Sequence, residues 1–132
     1  MKELRVATFN VRGATKDYKK ENLATDLERY KVDMCCLQET KIRNGCDEEL
    51  KGHRMICLPT NNVHYEMGFI IHEKWKRFVH KVWKVDDRIA VLQVRPEDNK
   101  RQQNDMPRIT KSLLNVYQAK RKQKTIRYFE GI

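Results

Sequence analysis

No stretch of this sequence is apolar for long enough to cross a membrane. The longest runs, such as Met34-Cys35-Cys36-Leu37 and Met67 to Ile71 broken by Gly68, fall far short of the ~20 residues a spanning helix needs. Met1 is followed by Lys2 and a strand-like stretch, with no apolar leader and no small-residue cleavage pattern, so a nuclear or cytoplasmic protein is expected, neither secreted nor membrane-bound. No Cys-x-x-Cys pair occurs: Cys35 and Cys36 are adjacent, Cys46 and Cys57 stand alone, and His53, His64, His72 and His80 show no ligand spacing beside a cysteine. Zinc is therefore set aside, and four free, buried thiols in a reducing cytosol or nucleus are expected. There is no repeat, no linker-like stretch and no second domain, and 132 residues fit one domain, 1–132.

Positive charge is what the chain has in excess, with 28 Lys and Arg against 18 Asp and Glu for a net +10. Residues 1–94 carry 18 basic and 14 acidic side chains, while residues 95–132 carry 10 and 4, so the last third holds more than half of the surplus. Such a surplus favours a polyanionic partner, nucleic acid above all, through phosphate neutralisation and counterion release. A solvated basic tail is the alternative.

Leu4 to Phe9 is rich in strand formers and predicts a first strand ending at Asn10, broken by Gly13. From Asp17, a plausible N-cap, Leu23, Ala24, Leu27 and Tyr30 build one helical stripe. Val32 to Leu37 is almost wholly apolar and predicts a strand buried on both faces. That order implies a right-handed crossover with two parallel neighbours. Thr40 to Gly52 reads as loop with a helical turn. Strands are expected at His53 to Leu58, Gly68 to His72, Phe78 to Val85, Arg88 to Val94 and Ile109 to Tyr117. Arg95 to Arg108 reads as a long hairpin loop, and Ala119 to Glu130 as a basic helix.

Asn10 closes the first strand and Glu39 follows the second. If those strands are parallel neighbours, both side chains emerge at one carboxyl edge, where open α/β sheets place their ligands. A carboxylate and an amide oxygen make an oxygen-rich site suited to Mg²⁺, which can polarise a phosphoryl oxygen. Equally, Asn10 can simply form a turn and Glu39 can be an exposed charge.

Four ordered pieces bear on that choice: Val6-Ala-Thr-Phe-Asn-Val-Arg-Gly13, Val32-Asp-Met-Cys-Cys-Leu-Gln-Glu-Thr-Lys41, Met67-Gly-Phe-Ile-Ile-His-Glu-Lys-Trp75 and Asp87-Arg-Ile-Ala-Val-Leu-Gln-Val94. Together they resemble the endonuclease/exonuclease/phosphatase superfamily, in particular the apurinic-type endonuclease domain of non-LTR (LINE-like) retrotransposons and the craniofacial development protein 2-like proteins. The resemblance implies the N-terminal half of a two-sheet α/β sandwich, a mixed sheet with flanking helices. It also implies a Mg²⁺- or Mn²⁺-dependent phosphodiesterase that nicks DNA, with RNA or a small phosphoester as other substrates. The metal role falls on Glu39 and a site-organising role on Asn10. Tyr117, in Leu114-Asn115-Val116-Tyr117, matches a tyrosine that approaches the scissile phosphate, although Gln118-Ala119 follows where Ala-Pro is expected. Arg12, Lys41, Lys120, Arg121, Lys122 and Lys124 are the candidate nucleic-acid contacts.

The departures are as informative. The family's later Gly-Asp-x-Asn and Ser-Asp-His motifs do not occur in these 132 residues, nor does any Gly-Asp pair. The expectation is a C-terminally truncated domain that supplies one sheet, with little or no turnover by itself. Its inner sheet face would need a partner protein or a missing segment to cover it. The competing expectation is a catalytically dead retroelement remnant that at most binds nucleic acid through its basic surface.

Overall fold

Strand-forming residues from Val6 make β1 (Val6–Asn10), and the stripe Leu23, Ala24 and Leu27 makes helix α1 (Asp17–Arg29), which returns the chain to β2 (Met34–Gln38), buried at all its positions. The computed structural model describes residues 4–61, 65–87, 89–94, 113–119 and 126–131. β1 and β2 are parallel neighbours, from Val6 opposite Met34 to Asn10 opposite Gln38. Lys16 rather than Asp17 occupies the cap of α1 and makes no side-chain bond there. Asp17 instead lies in the first turn, where its charge complements the helix dipole. Tyr30 leaves the buried stripe and is 63% exposed, because at the C-cap the backbone has already abandoned helical geometry.

The remaining elements are β3 (Cys46–Leu50), β4 (His53–Cys57), β5 (Met67–His72), α2 (Glu73–Lys76), β6 (Val79–Asp86), β7 (Ile89–Val94), β8 (Leu113–Ala119) and β9 (Ile126–Gly131). They form a mixed five-stranded sheet ordered β1-β2-β5-β4-β3 and an antiparallel four-stranded sheet ordered β6-β7-β8-β9.

Three expectations are corrected. The loop assigned to residues 40–52 contains β3, whose exposure alternates along Cys46-Asp47-Glu48-Glu49-Leu50 as an edge strand's does. The basic helix assigned to Ala119–Glu130 is instead the end of β8 and the strand β9, paired from Gln118 opposite Ile126 to Leu113 opposite Gly131. Ile126, Tyr128 and Phe129 are strand formers, and the partner strand satisfies the backbone that a helix would have satisfied internally. Residues 120–125 lie outside the described set. So do residues 95–108, the expected hairpin loop, although the strands flanking it, β7 and β8, are antiparallel neighbours.

The third correction concerns the single sheet with an uncovered face. The chain contributes strands to both layers. One apolar cluster joins Met34, Cys36, Ile56, Phe69 and Ile71 of the first sheet's side to Ala90, Leu92 and Val94 of β7, with Trp75 and Phe78 filling the gap between. The other face of the first sheet, with Cys35, Leu37, Met55 and Ile70, is covered by Leu27 and Leu23 of α1. The central strands β2, β4 and β5 are thus covered on both faces from within the chain, while the outer strands β1 and β3 stay partly exposed.

Asp33, 2% exposed, ties the lower edge of the first sheet together. Its carboxylate accepts the Arg5 amide at 2.8 Å and pairs with Lys74 Nζ at 2.7 Å, and its carbonyl accepts the His72 amide at 2.8 Å. Without these partners the buried Asp33 carboxylate would be an unpaired charge beside the core.

Candidate functional site

The parallel pairing of β1 and β2 places Asn10 and Glu39 at the same carboxyl edge. Val11 donates to Gln38 O at 3.0 Å, Gly13 to Glu39 O at 2.6 Å and Ala14 to Thr40 O at 2.8 Å, so the two loops leaving the strands stay zipped together beyond the sheet. From α1, Lys19 Nζ donates to the carbonyls of Val11 (3.2 Å) and Gly13 (2.7 Å) and fixes the first loop from below.

These loops are backbone-strained. Arg12, Glu39 and Lys41 have φ of 51°, 57° and 60°, and Lys31 is the other non-glycine residue with positive φ among the described residues. A side chain in this region costs about 1–2 kcal/mol, and such residues gather where function demands a geometry. Gly13 (φ 102°) lies against Lys41, whose Cδ would stand 3.3 Å from an added Cβ, so glycine lets the two loops approach.

Around this edge the donors are oxygens. Asn10 Oδ1 already accepts the Arg12 amide at 3.3 Å, the turn that was the plain alternative for this residue, and its second lone pair is uncommitted. Glu39 is half-buried, and its amide donates to Glu66 O at 2.9 Å. Glu66, 5% exposed, thereby joins the edge. Sequence reasoning missed it because it precedes β5 outside every matched piece; a lone acid immediately before an apolar strand was the available signal. Arg12 and Lys41 are exposed beside the same loops. Tyr117 sits in β8, in the second sheet, at the register position opposite Val91. Lys120, Arg121, Lys122 and Lys124 lie outside the described residues.

Beyond the edge, a cleft of about 550 Å³ opens among Arg43, Pro59, Thr60, Lys84, Asp86 and Asp87, without Asn10 or Glu39 in its wall.

All four cysteines are free; Cys35, Cys36 and Cys57 are buried as expected, whereas Cys46, on the edge strand β3, is only half-buried. Burial pushes the Cys35 thiol up to about 12 and Cys36 higher still. Cys46 and Cys57 stand opposite each other across β3 and β4. The Cys57 thiol donates to Cys46, which brings the half-exposed Cys46 down to about 7, whereas buried Cys57 keeps its proton. Cys46 is therefore expected to be the first cysteine alkylated by iodoacetamide, with a rate that rises through pH 7. Cys57→Ala removes the donor and should move that rise toward the ordinary thiol range. Peptide mapping after timed quenching reads both, and preferential labelling of Cys35 would contradict the assignment.

A second polar group lies at the opposite edge of the first sheet. Glu28, His53 and His72 bring one ligand atom each within 4.8 Å of one another, a group that can hold a metal ion. Among the described residues no helix is long and apolar enough to cross a membrane. Neither a protein-family model nor a curated protein matches this sequence.

Proposed function

We propose that the Asn10–Glu39 edge is a phosphodiester-hydrolysing site of the endonuclease/exonuclease/phosphatase type, with low turnover in this chain alone. The observation that carries the reading is the gathering of Arg12, Glu39 and Lys41, all with left-handed backbone, at the carboxyl edge of two parallel strands. The four sequence pieces that resemble the DNA-nicking endonucleases of retrotransposon type supply the reaction class.

The donor chemistry fits a hard divalent cation, Mg²⁺ or Mn²⁺, held by the Glu39 carboxylate and Asn10 Oδ1. Such an ion supplies charge to a phosphoryl oxygen when bound. The chain's own groups do the rest. The Asn10 amide hydrogens orient a phosphate oxygen, Arg12 and Lys41 attract the DNA or RNA backbone, and the resemblance assigns Tyr117 a role at the phosphate. The Gly-Asp-x-Asn and Ser-Asp-His motifs, with the nucleophile-positioning and basic groups they bring, are absent from these 132 residues. Hydrolysis without a positioned base loses orders of magnitude in rate.

The net charge of +10 favours a second reading, a nucleic-acid-binding module without turnover. Nicking of supercoiled plasmid in Mg²⁺, in chelator and by Glu39→Ala separates the two. Slow metal-dependent nicking that Glu39→Ala abolishes, with its circular dichroism unchanged, is the expected result. Nicking indifferent to Glu39 overturns the site. No nicking, with DNA binding that weakens steeply between low and moderate salt, favours the binding module. Absence of both sinks both.

A further inference from the structure

We propose that Glu28, His53 and His72 form a transition-metal site of the Zn²⁺ class, separate from the Asn10–Glu39 edge. Three elements converge to build it. Glu28 is in the last turn of α1, His53 opens β4 and His72 closes β5. The two histidines are register partners in adjacent strands, their rings edge to face at 5.2 Å.

His53 points to a ligand most directly. It is 1% exposed, and its Nδ1 lies 3.0 Å from Lys51 O. A carbonyl can only accept, so Nδ1 carries the proton and Nε2 presents a lone pair. That Nε2 is buried without a hydrogen-bond partner, 4.0 Å from Glu28 Oε2. Buried polar atoms left unpaired are rare enough to need an explanation. A histidine whose Nδ1–H is held by a backbone carbonyl and whose Nε2 is open is the arrangement that supports metal-bound imidazoles.

His72 completes the pair. Its Nδ1 accepts the Lys74 amide at 3.2 Å, so its proton is on Nε2 and is donated to Glu28 Oε2 at 2.9 Å. A metal takes the place of that proton. The ring then carries its proton on Nδ1, the bond from the Lys74 amide is given up, and the imidazole stays neutral. Ligand atoms of a tetrahedral zinc site stand about 3.3 Å apart, so the 4.0 Å separation of His53 from Glu28 closes by less than an ångström, and with all three atoms within 4.8 Å of one another no pair has more than about 1.5 Å to close. Glu28, 63% exposed on its side chain, has the freedom to make that adjustment.

Two imidazoles and one carboxylate suit Zn²⁺ with its fourth position open, whereas Mg²⁺ favours oxygen alone. Glu28 also lines a groove of about 460 Å³ together with Thr25, Lys51, Gly52 and Glu73, a route for the ion and its water. His72 bonds to Asp33 at the start of β2, while Glu39 follows its end. At the rise of an extended strand the two sites are about 20 Å apart, so ions at one do not occupy the other.

The experiment uses the full chain under reducing conditions, with Co²⁺ as optical probe and Zn²⁺ by calorimetric titration. Expected are one tight equivalent and a visible Co²⁺ spectrum without the near-ultraviolet thiolate band that cysteine ligation would give. Glu28→Gln and His72→Asn should each weaken Zn²⁺ binding at least tenfold. Glu28 is exposed, and asparagine at 72 keeps an acceptor for the Lys74 amide, so both variants are expected to fold, which an unchanged circular dichroism spectrum checks. Glu39→Ala should leave Zn²⁺ binding unchanged. No binding, a thiolate band, or equal affinity in wild type and both variants overturns the site.

Discussion

Replacing Trp75 by alanine is expected to destabilise the protein by about 3–5 kcal/mol, a large share of the about 5–15 kcal/mol that holds a domain folded. Trp75 is fully buried, edge to face with Phe78 at 6.3 Å between ring centroids. It lies in the cluster that joins the two sheets, so the cavity opens where the layers meet. A sheet interface is rigid on both sides and collapses poorly, which places the loss toward the upper end. Trp75→Phe is the informative companion, because the indole Nε1 is buried without a hydrogen-bond partner. Phenylalanine gives up packing area but removes that unpaired N–H, itself a penalty of about 1–3 kcal/mol. A net change within about 1 kcal/mol is expected for it. Urea unfolding followed by far-ultraviolet circular dichroism measures both. A phenylalanine variant as damaged as the alanine one would show that the indole shape, not its burial, is decisive.

Gly68→Ala is expected to lose about 3 kcal/mol, at the upper end for overpacking. A Cβ at this position would stand 2.8 Å from Ile56 O and 2.9 Å from Cys57 Sγ. The sulfur can swing aside, but the carbonyl is part of β4, and β5 is bonded to that strand and to β2. Relief therefore requires a strand to move in the middle of the sheet. Cys57→Ala in the same chain should restore little, since it removes only the movable obstacle. Gly52→Ala is the control: its φ is 73° but no atom lies within 4 Å of an added Cβ, so only the backbone term of about 1–2 kcal/mol remains. Equal losses at 52 and 68 would mean that the close approach to β4 is not the cause.

Much of the architecture was legible because it follows from local patterns. The strand–helix–strand order at the start requires a parallel crossover, and this alone brings Asn10 and Glu39 to one edge. β4, β5, β6 and β7 announced themselves as runs of strand formers. β3 did not, since Asp47-Glu48-Glu49 is poor strand material by composition and becomes a strand only because β4 offers it a partner. The C-terminal segment misled for a related reason: a dense basic composition resembles an exposed helix until Ile126, Tyr128 and Phe129 find β8. Glu28, His53 and His72 were out of reach of spacing arguments. His53 and His72 meet through antiparallel register, and Glu28 arrives from a helix laid across it, so no local interval encodes their proximity.

Among the described residues β3 ends the first sheet, so one row of its backbone groups has no strand beside it there. Such an edge invites a second chain to add itself. Here each of its three acids is held by a cation from another element: Asp47 by Arg54 at 2.7 Å, Glu48 by Lys20 at 2.8 Å and Glu49 by Lys76 at 2.7 Å. The fork of Arg54 holds the Asp47 carboxyl below its usual range, so that guard keeps its charge further into acid than a free aspartate would. An incoming strand would have to strip water from three ion pairs before gaining its first backbone bond. Protection of this edge against strand addition is therefore expected from a local fringe of paired charges and not from the repulsion of the overall positive charge.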